Sequence, residues 1–514
     1  MALEQITDAT GVLPAGDVRR PLFGTQATRD IEAALAQQLA PHTLMQRAGA
    51  AVARLALAIA PHARCIWIAC GPGNNGGDGF EAAMHLHKWG KDVTVGFAGD
   101  TDRLPDDARQ SWRRALAAGV RISDQVPELG PHDLAIDAML GIGTRRPVQG
   151  AMREWLDALS ATRAQVLCVD LPTGLNADTG TPVSEGDAWW RQHPAALRHT
   201  LSLLTLKPGL FTAQGRDAAG TIWFDPLQTR PDANPDAWLN APASPRLRPH
   251  ASHKGRHGDV AVVGGADGMA GAAVLAAQAA LQAGAGRVWW HMLAAPSVAP
   301  NLPADIMVRS AHDDPIAPIA PIAPGATVVC GCGGGDAVAG ALAPVLASAH
   351  PLVLDADALN AIAAHPSLQD LLRQRARQHR ASVITPHPLE AARLLGCSAA
   401  DVQADRLAAA HALADRLQCC VVLKGSGSVI AAPGMTPVIN PSGNARLAIA
   451  GTGDVLAGLI GARVAQAIYT AASADSVFSA VCAAVWEHGA AAEHWRGPAT
   501  LTASDLARQL VPGA

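Results

Sequence analysis

Apolar positions along the chain fall into two series in which short strand-like runs alternate with helical patterns. The first series holds Cys65–Cys70, Val93–Phe97, Leu134–Leu140, Gln165–Asp170, Leu201–Thr205 and Gly220–Phe224. The second holds Asp259–Gly264, Arg287–His291, Thr327–Cys330, Leu352–Asp355, Ser382–Thr385 and Cys419–Lys424. Such alternation predicts βαβ units and two α/β domains, each a three-layer αβα stack on a mainly parallel sheet. Leu456, Leu459, Ile460, Val464 and Ile468 share one face at helical spacing, and a helix is expected through Ala82, Met84 and Leu86. Residues 226–250 lose this periodicity and fill with Pro, Asp and Asn, which marks a linker between domains at 22–225 and 251–514, after an amino-terminal tail of 1–21. The stretch PIAPIAPIAPGA at 315–326 repeats proline every third residue and predicts an extended, exposed loop. No repeat of solenoid length is present.

Composition narrows the class. A chain of 514 residues is too long for one core, and its 49 glycines and 49% apolar residues suit helices packed closely on buried parallel sheets. The formal net charge of −4, with no basic run, argues against a nucleic-acid surface. The nine cysteines lack C-x-x-C spacing; Cys330, Cys332, Cys419 and Cys420 sit in strand-like sequence and read as reduced core residues. With no apolar leader and no stretch approaching 18 unbroken apolar residues, no membrane partner and a cytoplasmic location are expected.

Candidate chemistry gathers at glycine-rich strand ends. Ala450-Gly451-Thr452-Gly453-Asp454 runs into the helix that carries Leu456 and Leu459. Glycines at a helix start let backbone N–H groups reach an anion. An aspartate there repels that anion, so its simplest use is as a base beside a transferring phosphoryl group. A structural Gly-Asp turn is the bland alternative. Gly71-Pro72-Gly73-Asn74-Asn75-Gly76-Gly77-Asp78-Gly79 follows a strand and precedes a helix, the layout in which parallel sheets present ligands. Its amides and carboxylate suit ribose or amide contacts, a phosphate, or an oxygen-rich cation site. Asp137 and Asp170 each follow an apolar strand and precede a glycine-bearing loop. Each alone could be a turn former or helix cap, but three such loops on neighbouring strands would converge on one cleft. Lys424 before Gly425-Ser426-Gly427-Ser428 is a strand-end lysine, His387 sits between two prolines, and Asp357 reads as an N-cap for the helix through Leu359 and Ile362.

These motifs carry two family resemblances. Residues 22–225, with a helix over Arg29–Ala51 containing Leu44-Met45-Gln46-Arg47-Ala48-Gly49, then GPGNNGGDG, DAMLGIGT and VDLPTG, resemble the NAD(P)H-hydrate epimerase family. Residues 251–512, with His253-Lys254-Gly255, LDADALN at 354–360, Thr385-Pro386-His387-Pro388, Leu423-Lys424-Gly425 and GTGD, resemble the ADP-dependent NAD(P)H-hydrate dehydratase family, whose fold is ribokinase-like. The first resemblance implies a Rossmann-like domain interconverting the R and S hydrates of NADH and NADPH. It also implies substrate contacts at Asn74, Asn75, Gly76, Gly77, Asp78, Gly141, Ile142, Gly143, Thr144, Arg145, Arg146, Pro147 and Asp170, potassium ligands at Asn75, Asp137 and Thr173, and proton transfer by Asp170. The second implies dehydration of the S hydrate at the expense of ADP, with ATP the alternative nucleotide, giving AMP and phosphate. Its implied site has Ala272, Gly333, Gly335, His387 and Asp454 on the substrate and Lys424, Gly425, Ser426, Gly427, Ser428, Gly451, Thr452 and Gly453 on the nucleotide. Asp454 is implied as base, Mg²⁺ as cofactor beside K⁺, and a homo-oligomer as the assembly.

Departures from the family patterns are local: Gly331-Cys332-Gly333-Gly334-Gly335 replaces the usual G-P-G-L-G, Ala450 replaces a glycine, Leu389 follows His387-Pro388 where glycine is common, and Thr173 stands where serine is usual. Two other readings fit the residues: a small-molecule kinase built on the second half, and a non-catalytic nucleotide-binding first half that tethers it.

Overall fold

The computed structural model describes residues 3–8, 18–243, 248–294, 301–309, 322, 324–470, 473–497 and 500–511. Tail residues 1–2 and 9–17, linker residues 244–247, and 315–321 and 323 of the proline-rich stretch lie outside them. Two compact units form, one built on Pro21–Trp238 and the other on Leu239–Ala514. Ala237–Leu239, inside the stretch expected as linker, is a short strand.

In the first unit the sheet runs Glu4–Thr7, Thr221–Asp225, Arg198–Leu203, Gln165–Val169, Leu134–Ala138, Cys65–Cys70, Asp92–Phe97, Arg121–Ile122. All pairs are parallel except Glu4–Thr7 against Thr221–Asp225. Chain direction across the sheet reverses between Cys65–Cys70 and Leu134–Ala138, and a parallel sheet opens a crevice at the carboxyl ends of such a strand pair. Ile66, Ile68, Leu134, Ile136, Leu167 and Val169 are wholly buried, as continuous apolar strands covered on both faces must be.

Two expectations for this unit need correction. The helix expected over Arg29–Ala51 is two, Thr25–Ala36 and Thr43–Ile59. Pro41 brings no N–H to continue a helix, and His42 is left-handed at φ 68°. The glycine loop expected before Ala82 is already helical, because the helix spans Asn74–Lys88. Its glycines serve close approach: a Cβ on Gly76 would lie 2.0 Å from the Gly71 carbonyl oxygen.

Within the second unit the sheet runs Met307–Arg309, Arg287–Met292, Asp259–Gly264, Thr327–Cys330, Leu352–Leu354, Ser382–Ile384, Cys420–Leu423, Ser428–Ala431, Val438–Asn440. Pairing is parallel up to Cys420–Leu423 and antiparallel beyond it. Direction reverses between Asp259–Gly264 and Thr327–Cys330, where Gly265 and Ala266 N–H donate to the carbonyls of Cys332 and Gly333 at 3.1 and 2.7 Å. Helix Ala270–Gln282, nearly all alanine on its buried side, packs against helix Thr452–Thr470. All nine cysteines are free; Cys65 is half-buried, Cys397 exposed and the others buried. Among the described residues no helix is long and apolar enough to cross a membrane.

Candidate active sites of the two units

The first unit carries a cavity of about 740 Å³ at its crevice, lined by Asn74, Asn75, Asp78, Leu140, Gly141, Ile142, Gly143, Thr144 and Asp170 among others. Arg29, Glu32, Ala33 and Ala36 also line it, spaced so that one face of helix Thr25–Ala36 turns towards it. Gly76 and Gly77 are buried in helix packing behind the cavity wall, and Arg145, Arg146 and Pro147 stand exposed and outside its lining.

Asp170 follows strand Gln165–Val169 in a left-handed conformation at φ 67°, which ends the strand one residue earlier than expected. Short polar side chains tolerate this geometry best. Its Oδ1 accepts from Lys207 and, at 3.3 Å, from the Leu203 N–H. Its Oδ2 faces Gly141: a Cβ there would stand 3.2 Å from Asp170 Oδ2 and 3.3 Å from Asn75 Oδ1. Any side chain there would press on both of these oxygens.

Asp137 is wholly buried, with Oδ1 accepting from the Thr173 hydroxyl at 2.7 Å and Oδ2 from the Thr173 N–H at 2.8 Å. Burial pushes its carboxyl up to about 6, against the pull of these bonds and that of Met139. Thr173 Oγ1 also accepts from Leu140 N–H at 3.0 Å, next to Gly141. Asn75 Nδ2 is buried without a hydrogen-bond partner. Amide orientation is set by the surrounding network, so turning this amide would place an oxygen there in search of a cation. An amide, a carboxylate and a hydroxyl form an oxygen donor set suited to a hard cation.

Four charged residues of this cavity were not singled out from sequence: Arg29, Glu32, Asp107 and Lys207. Glu32 opens to the cavity yet is hemmed in by protein, and burial followed by Asp170 raises its carboxyl. Asp78 is pushed well above the carboxylate range by burial first, then by Asp170 and Glu32. Burial and mutual repulsion thus raise two of the cavity's carboxyls together.

In the second unit, Asp454 lies in the first turn of helix Thr452–Thr470, after Gly451 in a left-handed turn at φ 92°. The Thr452 hydroxyl donates to the carbonyls of Leu447 and Ile449, at 2.9 and 3.1 Å, pinning that turn. His488, buried and lowered to about 4 by burial, donates Nε2–H to the Thr452 carbonyl at 2.9 Å as a neutral ring. Across from the turn, Asp355 accepts from Lys424 at 2.7 Å, and a Cβ on Gly453 would stand 3.3 Å from Lys424 Nζ. The sequence motif contained Asp355, but nothing in its spacing separated it from a strand-end turn.

Asp454, Asp355 and Cys332 offer ligand atoms that all lie within 4.8 Å of one another. Cys332, read from sequence as core, is buried yet belongs to this site. Burial, then Asp454 and Asp355, keeps its thiol protonated well above the ordinary range. Burial and Asp355 push Asp454 up to about 6, against the pull of Cys332 and Lys424. Burial works against the charge of Lys424, but Asp355 and Glu390 outweigh it and hold the ammonium firmly protonated.

His387 caps helix Pro388–Leu395 through Nδ1, which accepts from Leu389 N–H at 3.1 Å and Glu390 N–H at 3.3 Å, while Glu390 Oε2 accepts from His387 N–H at 2.8 Å. Its ring is half-exposed and, lowered first by burial and then by Lys424, neutral, so Nε2 carries the hydrogen. Glu390 is buried, and burial pushes it up to about 7. Asp357 proves not to be a cap: it is the first residue of helix Asp357–Ala364, and its Oδ2 accepts from Gly335 N–H at 2.8 Å. That bond shapes the Gly331–Gly335 loop, where Gly333 and Gly335 approach Met269 and Ala272. After Lys424, Gly425 is left-handed at φ 139° over the Arg406 guanidinium, which donates to the carbonyls of Leu423 and Lys424, both at 3.1 Å. The Ser428 hydroxyl closes this loop onto the Gly425 carbonyl at 3.3 Å.

Residues 41–209 match the family described as YjeF-related protein N-terminus, and residues 260–512 match NAD(P)H-hydrate dehydratase. The chain is 37% identical over 485 residues to the bifunctional NAD(P)H-hydrate repair enzyme of Escherichia coli, covering 90% of this chain and 87% of that one. It is 43% identical over 275 residues to the ADP-dependent (S)-NAD(P)H-hydrate dehydratase of Neisseria meningitidis, covering 52% of this chain and 88% of that one. A solved Bacillus subtilis ADP/ATP-dependent NAD(P)H-hydrate dehydratase, co-crystallised with ATP and Mg²⁺, shares 30% identity over 52% of this chain and 92% of its own, at a TM-score of 0.42. With both halves matched in order and the full-length likeness extending over nine-tenths of its length, the chain belongs to the family of bifunctional NAD(P)H-hydrate repair enzymes, joining an epimerase to an ADP-dependent dehydratase.

Proposed function

We propose that the site around Asp454 dehydrates the S hydrate by phosphoryl transfer, and that the cavity around Asp170 interconverts the epimers. The observation that carries the first half is the half-buried Asp454 carboxylate set against the Gly451–Gly453 turn and the Asp355–Lys424 pair. Lys424 and the N–H groups of the turn hold the nucleotide phosphates, aided by the positive end of the following helix. Asp454 takes the proton of the C6 hydroxyl as that oxygen attacks the β-phosphoryl of ADP; the bond to the AMP oxygen breaks and AMP leaves. The N1 lone pair then expels phosphate from C6, and transfer of a C5 proton to the departing phosphate restores the C5–C6 double bond. His387 Nε2–H and the Gly333–Gly335 loop hold the hydrate, while Gly425–Ser428 hold the nucleotide.

Among the described residues of the second unit, Cys332, Asp355 and Asp454 come together but do not suit Mg²⁺. Lys424 already occupies Asp355 Oδ1, and the protonated Cys332 thiol is a poor ligand for a hard cation. Mg²⁺ in this reading arrives on the nucleotide phosphates.

In the first unit, Asp170 Oδ2 takes the C6 hydroxyl proton. The O–H pair forms a C6 carbonyl, and the C6–N1 pair withdraws onto the conjugated ring nitrogen. Closure on the other carbonyl face returns the proton and inverts C6. Asn75, Asp137 and Thr173 would supply oxygens to K⁺, whose charge would offset that of the buried Asp137 carboxylate, while the Thr173 hydroxyl ties Asp137 to the Leu140 N–H.

The test incubates the purified protein with mixed R and S hydrates of NADPH, ADP, Mg²⁺ and K⁺, resolving both epimers and any phosphorylated product by chromatography. Recovery of NADPH from both epimers, with AMP formed one for one, is expected. Phosphate retained on the substrate would establish a kinase instead, and recovery that stops when the S form is spent would remove the epimerase half.

A further inference from the structure

Lys207 is the feature of the first unit that neither the sequence motifs nor the proposed chemistry uses. Its side chain is 1% exposed, and burying an ammonium is costly unless every proton finds an acceptor. Here the acceptors are Asp170 Oδ1, the Leu203 carbonyl at 2.7 Å and the Ser202 hydroxyl at 3.5 Å. The chain delivers the lysine there by reversing after strand Arg198–Leu203, with Leu204 left-handed at φ 64°.

The consequence lies in how the two oxygens of Asp170 are divided. Oδ1 is held by Lys207 and by the Leu203 N–H. Oδ2 is left facing the Gly141 cradle beside Asn75, inside the cavity. The Asp170 carboxylate stands past the end of its strand on a left-handed residue, so the buried ammonium on Oδ1, with the Leu203 N–H beside it, sets the direction of Oδ2.

We propose that Lys207 is a positioning residue for epimerisation, holding Oδ1 of Asp170 so that Oδ2 is the oxygen that exchanges a proton with the bound hydrate. The role rests on Asp170 as the proton-transfer group. Lys207 acts through Asp170 and does not itself meet the substrate.

The experiment measures kcat and KM for R-to-S conversion in the full-length chain, with rates referred to the dehydratase turnover of the same preparation, for Lys207→Met, Lys207→Arg, Asp170→Asn and the double variant Asp170→Asn/Lys207→Met. Lys207→Met is expected to lower kcat by about 10²-fold with KM within about threefold, as misplacement of a reacting group does. Lys207→Arg, which keeps the charge, is expected to recover part of the rate. In the Asp170→Asn background the lysine change should cost less than about twofold, because no carboxylate remains to be positioned. An equal loss in both backgrounds would make Lys207 merely structural, and wild-type kcat in Lys207→Met would also overturn the proposal. If Lys207→Met alone does not fold, leaving a buried charge unpaired, the neutral double variant and Lys207→Arg still decide. Full activity in Asp170→Asn would refute the role of Asp170 itself, a result separate from any outcome at Lys207.

Discussion

Asp454 makes the sharpest demand on the reading of the second unit, since its folded carboxyl titrates at about 6 against an ordinary value of 3.8. A base works only as the carboxylate, so dehydratase turnover should follow its ionised fraction. At pH 5 a group at about 6 is roughly one-tenth ionised, whereas an unshifted aspartate would be roughly nine-tenths ionised. Turnover at pH 5 should therefore fall about tenfold below its plateau, a loss an ordinary aspartate could not cause. Because dihydronicotinamides decay in acid, AMP release from the S hydrate and ADP is the readout. Asp454→Asn should lower turnover by about 10²–10⁴-fold at neutral pH.

The same shift has a stability counterpart. Below pH 3.8 the folded and unfolded chains are both protonated here and the shift has no effect. Above 6 both are ionised, and the folded chain bears a penalty on the order of 2–3 kcal/mol. Asp454→Asn should then raise the unfolding temperature of this unit by several degrees at pH 8 and leave it unchanged near pH 4. A variant no more stable than wild type at pH 8, together with full turnover at pH 5, would refute the reasoning.

In the first unit, Gly141→Ala should cut epimerisation by about 10²-fold, because its Cβ would stand 3.2 Å from Asp170 Oδ2 and 3.3 Å from Asn75 Oδ1. The φ of Gly141 is not positive, so the unfolding midpoint in urea should scarcely move. Thr173→Val removes the hydroxyl that donates to Asp137 at 2.7 Å; it should cost about 1–2 kcal/mol and shift the K⁺ dependence of epimerisation to higher concentration, read by titrating KCl at constant ionic strength. Gly76→Ala, which drives a Cβ to within 2.0 Å of the Gly71 carbonyl oxygen, should destabilise the unit by about 3 kcal/mol, measured by urea unfolding followed through tryptophan fluorescence.

Short continuous apolar runs bounded by glycine and aspartate made the parallel strands legible, because strands buried on both faces must be apolar throughout. Strand ends were less so. Asp170 was read as the last residue of a strand, but its left-handed φ belongs to the site rather than to the ladder. The Asn74–Gly79 segment was taken for a loop because glycine is the usual mark of one; here three of its six residues are polar or charged and the other three are glycines that let a helix press against strand and neighbouring helix. Glycine frequency alone does not distinguish freedom from closeness.

Lys207, Asp355 and His488, which the sequence did not single out, each pair with a partner far along the chain. Lys207 reaches Asp170 across 37 positions, Lys424 reaches Asp355 across 69, and His488 reaches Thr452 across 36. No local period encodes such pairs. Both sites nevertheless arrive at the same device, a lysine ammonium set on an aspartate at the carboxyl end of a parallel strand, beside a second carboxyl raised by burial. In such a group the ammonium stabilises one carboxylate, and the second carboxyl is left to bear the cost of desolvation and of the first one's charge, so it holds its proton more tightly than an ordinary carboxyl. In the dehydratase that second carboxyl is Asp454, already assigned the hydroxyl proton. In the epimerase it is Asp78, raised by burial and then by Asp170 and Glu32, so a second acid group stands beside the carboxylate proposed to exchange the C6 hydroxyl proton, whereas the dehydratase has phosphate departure to carry its proton away.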